Sequence, residues 1–268
     1  DNKLDNAALE KDTPPQASAS EFSFSVSNQA LSRALKILSG VVDHSQVIQI
    51  LGYIKCDLQD NKLSLIASNS EIEIHIAIDV LDVSCQEARS FTLPCRKLFD
   101  ITRTLESDAI LTIKSCASWS EVCVAKTRFK LASLPPNSFP QLAHFSPQKT
   151  IRLSQNDLLR LLNRTGFAMA SQDVRFFLNG MLLGIGAEKI DAVATDGHRL
   201  ALNAIGQDGF TQVNASDEAN QEAIPNIIVP RKTIQELRKH LQETDAPVEI
   251  AIGGQYMSIL TDEIAIYS

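Results

Sequence analysis

"KIDAVATDGHRLA", residues 189–201, lies over "KLSLIASNSEIEI", residues 62–74, at an offset of 127 with no gap. Lys189 falls on Lys62 and Ala194 on Ala67. The same offset sets "LSQNDLLRLLNRT" (153–165) over "VSNQALSRALKIL" (26–38), and "FLNGM" (177–181) over "ILGYI" (50–54). Further along, "VPRKTIQELRKHL" (229–241) lies over "LPCRKLFDITRTL" (93–105) at offset 136, and "EIAIYS" (263–268) over "RFKLAS" (128–133) at offset 135. Several segments in one order with nearly one offset mark an internal repeat. The chain is therefore expected to hold two copies of one domain, 22–145 and 146–268, after a polar leader, 1–21, expected to be disordered. The joint between them, "LPPNSFPQLAHFSPQ" (134–148), has the Pro and Ser of a linker.

Within each copy the pattern predicts an α+β unit, two helices packed on antiparallel strands. Ser27 and Ser154 are N-cap candidates, and Asp157 completes a capping-box-like start. Apolar residues at helical spacing follow each serine, and a second helix is expected near Pro94 and Pro230. The four helices are expected over 28–39, 94–105, 155–165 and 230–243. Alternation at Leu63–Leu65 and Ile72–Ile74–Ile76 predicts strands.

Composition excludes several classes. No apolar run is long enough to span a membrane. The five cysteines, Cys56, Cys85, Cys95, Cys116 and Cys123, include no CxxC pair. That argues against a zinc site or disulfide framework and for a reducing cytoplasm. The net charge of −7 argues against a surface basic all round, yet the charge is segregated. The four helices carry eleven Lys and Arg against four Asp and Glu, net +7, and the remainder is net −14. Helices favour Lys and Arg, but Glu is as good a helix former and is mostly absent from them. A basic surface facing an anion is the functional reading, through phosphate contacts that position without reading sequence.

Five motifs in order, "LPCRKLFDI" (93–101), "SLPPNSFPQL" (133–142), "QDVRFFLNGMLL" (172–183), "VATDGHRLAL" (193–202) and "IIVPRK" (227–232), resemble the bacterial DNA polymerase III beta subunit, the sliding clamp. The resemblance runs from about Phe22 to Ser268. It implies tandem clamp domains, of which a clamp subunit has three and this chain two, with the third expected to be absent. It implies a homodimeric ring lined by helices, threaded by double-stranded DNA without sequence readout, with no catalysis and no cofactor. The implied partners are the replicative polymerase, the clamp loader, and translesion and repair proteins that dock through short peptides. Two such chains alone are not expected to close a ring.

By matching motifs, the resemblance places a peptide pocket at Arg175, Phe177, Leu178, Thr195, Gly197, His198, Arg199 and Leu200. Leu178 and Leu200 would form its floor, with His198 and Arg199 as its polar rim. Gln172, Arg175 and Phe176 match DNA-touching positions, and a polar loop with a buried Phe pair is the competing reading. The helix cations Arg33, Lys36, Arg96, Lys97, Arg103, Arg160, Arg164, Arg231, Lys232, Arg238 and Lys239 are expected to face DNA. Lys126, Arg128 and Leu131 match an edge strand at the subunit interface. Ser45 and Gln49 stand where the family has arginine and proline.

Asp196 and His198 leave other classes to weigh. Two ligands without a matching cluster make a poor metal site. A hydrolase would need a nucleophile elbow that the chain lacks. A two-domain DNA-binding regulator and a clamp paralogue that keeps only the pocket are the remaining alternatives. A strand–turn–strand with Asp-Gly at the turn is the plain structural reading of 189–202.

Overall fold

A computed structural model describes residues 21–42, 48–69, 71–142, 146–213 and 226–268. The first copy runs β1 (Phe22–Ser27), α1 (Asn28–Leu38), β2 (Tyr53–Gln59), β3 (Lys62–Ser68), β4 (Glu73–Asp79), β5 (Arg89–Pro94), α2 (Cys95–Arg103), β6 (Ile110–Ser115), β7 (Trp119–Val124) and β8 (Thr127–Ala132). The second runs β9 (Lys149–Ser154), α3 (Gln155–Thr165), β10 (Gly180–Ile185), β11 (Lys189–Thr195), β12 (Leu200–Gly206), β13 (Phe210–Gln212), β14 (Ile227–Pro230), α4 (Arg231–His240), β15 (Pro247–Gly253), β16 (Tyr256–Leu260) and β17 (Ala265–Tyr267). Apart from the short β13 the two orders are the same, which is the α+β repeat expected. The second helix of each copy starts just after its proline and ends two or three residues before the expected boundary.

The repeat extends to how the helices begin. A helix leaves its first N–H groups without partners inside the helix. In α1 the amides of Asn28 and Gln29 donate to Ala109 and Ser107; in α3 those of Gln155 and Asn156 donate to Ala246 and Thr244. The Ser154 hydroxyl also accepts from the Asp157 N–H at 3.0 Å, as a capping box requires. Ser27 occupies the same place, but its hydroxyl makes no cap. Each helix buries one stripe, Leu31, Ala34, Leu35 and Leu38 in α1 and Leu158, Leu161, Leu162 and Thr165 in α3. Arg33, Lys36, Arg160 and Arg164 are left in solvent.

Each copy builds two antiparallel sheets, and one sheet of each is shared. The order β13-β9-β15-β16-β17-β4-β3-β2-β5 runs unbroken from one copy into the other. The join is β17 on β4, with Ala265 opposite His75, Ile266 opposite Ile74 and Tyr267 opposite Glu73. The remaining sheets, β1-β6-β7-β8 and β12-β11-β10-β14, end at β8 and β12. By the repeat, β8 corresponds to β17 and β12 to β4. Among the described residues β17 on β4 is made once, and β8 and β12 carry no further strand on their outer edges, the two halves of a second such join.

Polar groups are buried along the seam. Glu73 is buried, holds His75 Nε2 at 2.6 Å and accepts from the Leu142 N–H at 3.0 Å, while the His75 ring packs on Tyr267. On α4 the buried Glu236 pairs with Lys239 at 2.7 Å, with His240 3.6 Å away. Its other oxygen lies against Gly40, where an added Cβ would approach within 3.0 Å. Burial opposes ionisation of Glu236, but the adjacent His240 and Lys239 outweigh it and hold the carboxyl below its usual pKa. A depressed folded-state pKa contributes stability above the unfolded value, near pH 4.3, and loses it as pH falls through the folded one. The denaturant midpoint should therefore drop as pH falls below about 4, and Glu236→Gln should flatten that part of the profile. Equal slopes for the two proteins would show that Glu236 is not an acid-labile element.

Candidate functional site

Between β11 and β12 the chain reverses at Thr195–Arg199. The Asp196 carboxylate accepts the N–H groups of His198 and Arg199, both at 3.0 Å, and Arg199 Nε at 2.9 Å. These bonds hold its carboxyl below the usual range. The Thr195 hydroxyl donates to the Arg199 carbonyl at 2.7 Å and accepts the Gly197 N–H at 3.1 Å. Asp196 is thus occupied by its own turn and is not set against His198 as a base. The first copy makes the same turn with Asn69, whose side-chain oxygen accepts from Glu71 and Ile72 at 3.0 and 2.9 Å. Gly197 has φ +87, a conformation that costs other residues strain.

A loop from Met169 to Asn179 runs beside this turn. Its Asp173 carboxylate takes three bonds from Arg175, from the backbone N–H, Nε and Nη2 at 2.8–3.0 Å. Those bonds hold the Asp173 carboxyl down to about 2. The Arg175 guanidinium then lies on Gly197, with Nη2 3.2 Å from where a Cβ would stand. Across the turn, the Arg199 guanidinium lies 5.6 Å from the centre of the Phe167 ring. Three segments, around Phe167, Arg175 and Gly197, therefore converge.

The surface they make is apolar. Phe176 is 81% exposed and Val174 97%, and the Phe176 and Phe177 rings meet edge-on at 6.0 Å. Leu200 and Leu202 on β12 are 65% and 63% exposed. Contiguous exposed apolar groups, such as the adjoining Phe176 and Phe177 rings, mark interaction sites, whereas single ones need no explanation. The competing reading of a buried Phe pair is not met, since both rings are exposed. Leu178 is buried, and Leu200, the first residue of β12, is exposed. Arg175 meets the Gly197 turn, which also holds Thr195, His198 and Arg199, and Phe177 follows Arg175 in the loop. Sequence reasoning did not select Phe167, Val174 or Leu202. The alternation in "LALNAI" (200–205) carries the signal for Leu202, whereas Phe167 is placed only by tertiary packing.

The helix cations divide. Lys36, Arg96, Lys97, Arg164 and Lys232 are exposed without an ion-pair partner among the described residues. Arg33 reaches across the seam to Glu263 at 2.6 Å, Arg160 pairs with Asp157 at 2.7 Å, and Lys239 with Glu236. Arg238 donates to Asn163, and Arg103 lies over Phe99. Arg231 departs from the expectation: its guanidinium is half-buried and bound to backbone carbonyls. Gln172 is exposed at φ +60. Lys126, just before the edge strand β8, and Arg128 at its start are exposed, but Leu131 is buried. The Leu131 backbone faces Ser120 of β7, and the outward backbone groups of this edge belong to Lys130 and Ala132. Gln49 opens an exposed 3-10 turn, and Ser45 lies outside the described residues.

Known proteins share this fold. The chain matches the N-terminal domain of the DNA polymerase III beta subunit over residues 22–143 and its central domain over 152–268. It is 36% identical to the beta sliding clamp of Pseudomonas putida over 245 residues, 91% of this chain and 64% of that protein. Among solved structures it resembles the Pseudomonas aeruginosa sliding clamp bound to griselimycin, with TM-score 0.80 and 32% identity over 93% of this chain and 64% of that one. It also resembles the griselimycin-bound clamp of Bartonella birtlesii, with TM-score 0.81 and 25% identity over 92% of this chain and 64% of that one. The chain thus spans about 64% of the length of the relatives it matches.

Proposed function

This chain belongs to the DNA polymerase III beta subunit family, and on that premise we propose that it forms part of a sliding clamp. In this reading its protein is a non-catalytic processivity subunit. It surrounds duplex DNA without reading sequence and holds a polymerase to its template. The exposed helix cations Lys36, Arg96, Lys97, Arg164 and Lys232 would meet phosphate. Such contacts weaken steeply with salt and carry no base information.

The observation that carries the reading is the open join. Residues Leu200–Ala201–Leu202 stand, at offset 127, where Glu73–Ile74–His75 meet β17. Residues Lys130–Leu131–Ala132 stand, at offset 135, where Ala265–Ile266–Tyr267 meet β4. Edge strands are normally protected, and here the two open edges are complementary halves of a contact the chain already makes. A head-to-tail contact of this kind builds rings or spirals. The same repeat supports Leu131 as an interface position by its place in the register, since its counterpart Ile266 lies opposite Ile74 and is also buried, while Lys130 and Ala132 offer the outward backbone groups.

The apolar surface at Phe176, Gly197 and Leu200 lies beside the open β12 edge and would receive short peptides from polymerase, clamp loader and repair proteins. Griselimycin, bound in the two solved relatives, is the probe. Changing Arg199 and Leu200 together to alanine should weaken griselimycin binding to this chain at least tenfold, about 1.4 kcal/mol. Calorimetric titration with unchanged affinity in the double variant would remove this surface from the docking site.

A further inference from the structure

Arg231 is counted among the helix cations, yet the fold spends it elsewhere. Its Nη1 donates to the Met169 carbonyl at 2.8 Å and the Ala170 carbonyl at 3.1 Å. Its backbone N–H donates to the Asn179 carbonyl at 2.9 Å. The Asn179 side chain closes the loop on itself, with Nδ2 to the Asp173 carbonyl at 2.8 Å and Oδ1 from the Asp173 N–H at 2.9 Å. The Ala170 N–H meets the Leu178 carbonyl at 2.9 Å. Both ends of the 169–179 loop are thus tied to each other and to the first residue of α4.

That tether has work to do. Val174 and Phe176 stand in water, so packing does not hold them. Gln172 keeps a left-handed backbone that a non-glycine residue retains only when its surroundings impose it. The orientation of the apolar groups must come from the base of the loop, and a preformed surface binds more tightly than one that must first be ordered. Both bonds come from one nitrogen whose two N–H directions the planar guanidinium fixes, whereas an ammonium in its place rotates on a flexible stem.

We infer that Arg231 and Asn179 are positioning residues of the docking surface, holding the 169–179 loop in its binding shape, and that Arg231 is not a contact to DNA. The inference rests on the docking reading above, deepens it and can fail separately from it. The test compares the 268-residue chain with its Arg231→Lys, Asn179→Ala and Gln235→Ala variants. Gln235 is exposed on the same helix and serves as control. Amide exchange is followed at Ala170, Asp173 and Leu178, and griselimycin affinity is measured in parallel. Arg231→Lys keeps the charge, so a residue acting through charge would leave both readouts unchanged. The expected result is exchange about tenfold faster at those three amides, unchanged exchange in β10 and β11, and griselimycin binding about tenfold weaker. Asn179→Ala should repeat this, and Gln235→Ala should not. Wild-type exchange at the three amides in Arg231→Lys would overturn the inference. So would an equal acceleration in β10 and β11, which would make the role one of general stability. If griselimycin does not bind the unaltered chain, the docking reading fails and the exchange result alone decides the tether.

Discussion

Replacing Tyr267 by proline should split the thermal unfolding of this chain into two transitions. β17 is three residues long and lies between β16 and β4, so its backbone carries the ladder from one copy into the other. Met257 and Ser268 exchange both backbone bonds, so the alternate residue Ile266 bonds to β16, and the backbone groups of Ala265 and Tyr267 face β4. Proline has no N–H to give. The Tyr267 ring also packs on His75 across the join, so the variant loses that contact. An unpaired partner and a lost ring contact together cost on the order of 2–4 kcal/mol. The loss falls on the join, because α3 and the remaining sheets of each copy do not pass through it. Calorimetry should show separated transitions, and exchange at the β4 amides should accelerate before that at β2 or β15. One cooperative transition at the unaltered temperature would mean that the seam is held by something other than this ladder, such as the Arg33–Glu263 and Glu236–Gly40 contacts.

Gly197→Val should weaken griselimycin binding about a hundredfold while the chain stays folded. At φ +87 a β-branched side chain meets its own backbone, a strain of roughly 1–3 kcal/mol. The new Cβ would also stand 3.2 Å from Arg175 Nη2, so the guanidinium must give by a few tenths of an ångström, and the valine methyls beyond the Cβ press it further. Asp173 holds that guanidinium, so the displacement is passed to the loop that carries Phe176. Affinity should fall by about a hundredfold, near 2.7 kcal/mol, with a smaller fall for Gly197→Ala. Near-native affinity in the valine variant would show that the turn and the loop do not share one binding surface.

Local sequence revealed the units and not their joining. Helix positions came from Leu31–Leu38 and Leu158–Leu162, where apolar spacing records which face is buried. The turn at Asp196 was legible because Asp-Gly chemistry acts within four residues. β17 against β4 was not, since its partners lie almost two hundred residues apart and nothing in "EIAIYS" names its neighbour. Position in a helix likewise does not tell what a cation touches. Arg231 and Lys232 are adjacent and alike in sequence, yet one ends on carbonyls and the other in solvent. Phe167 joined the site through Arg199, a contact made by folding the end of α3 against β12.

Three residue pairs along β4 and β17 also set a curvature. Each use of the join swings one unit about the last by the same angle, because the register and the twist of the sheet are the same each time. A series of equal swings closes only when the angle divides a full circle, and otherwise winds into a spiral. The bore of any ring built this way is therefore decided at its outer wall, by Ile266 lying opposite Ile74, and not by the shape of what passes through.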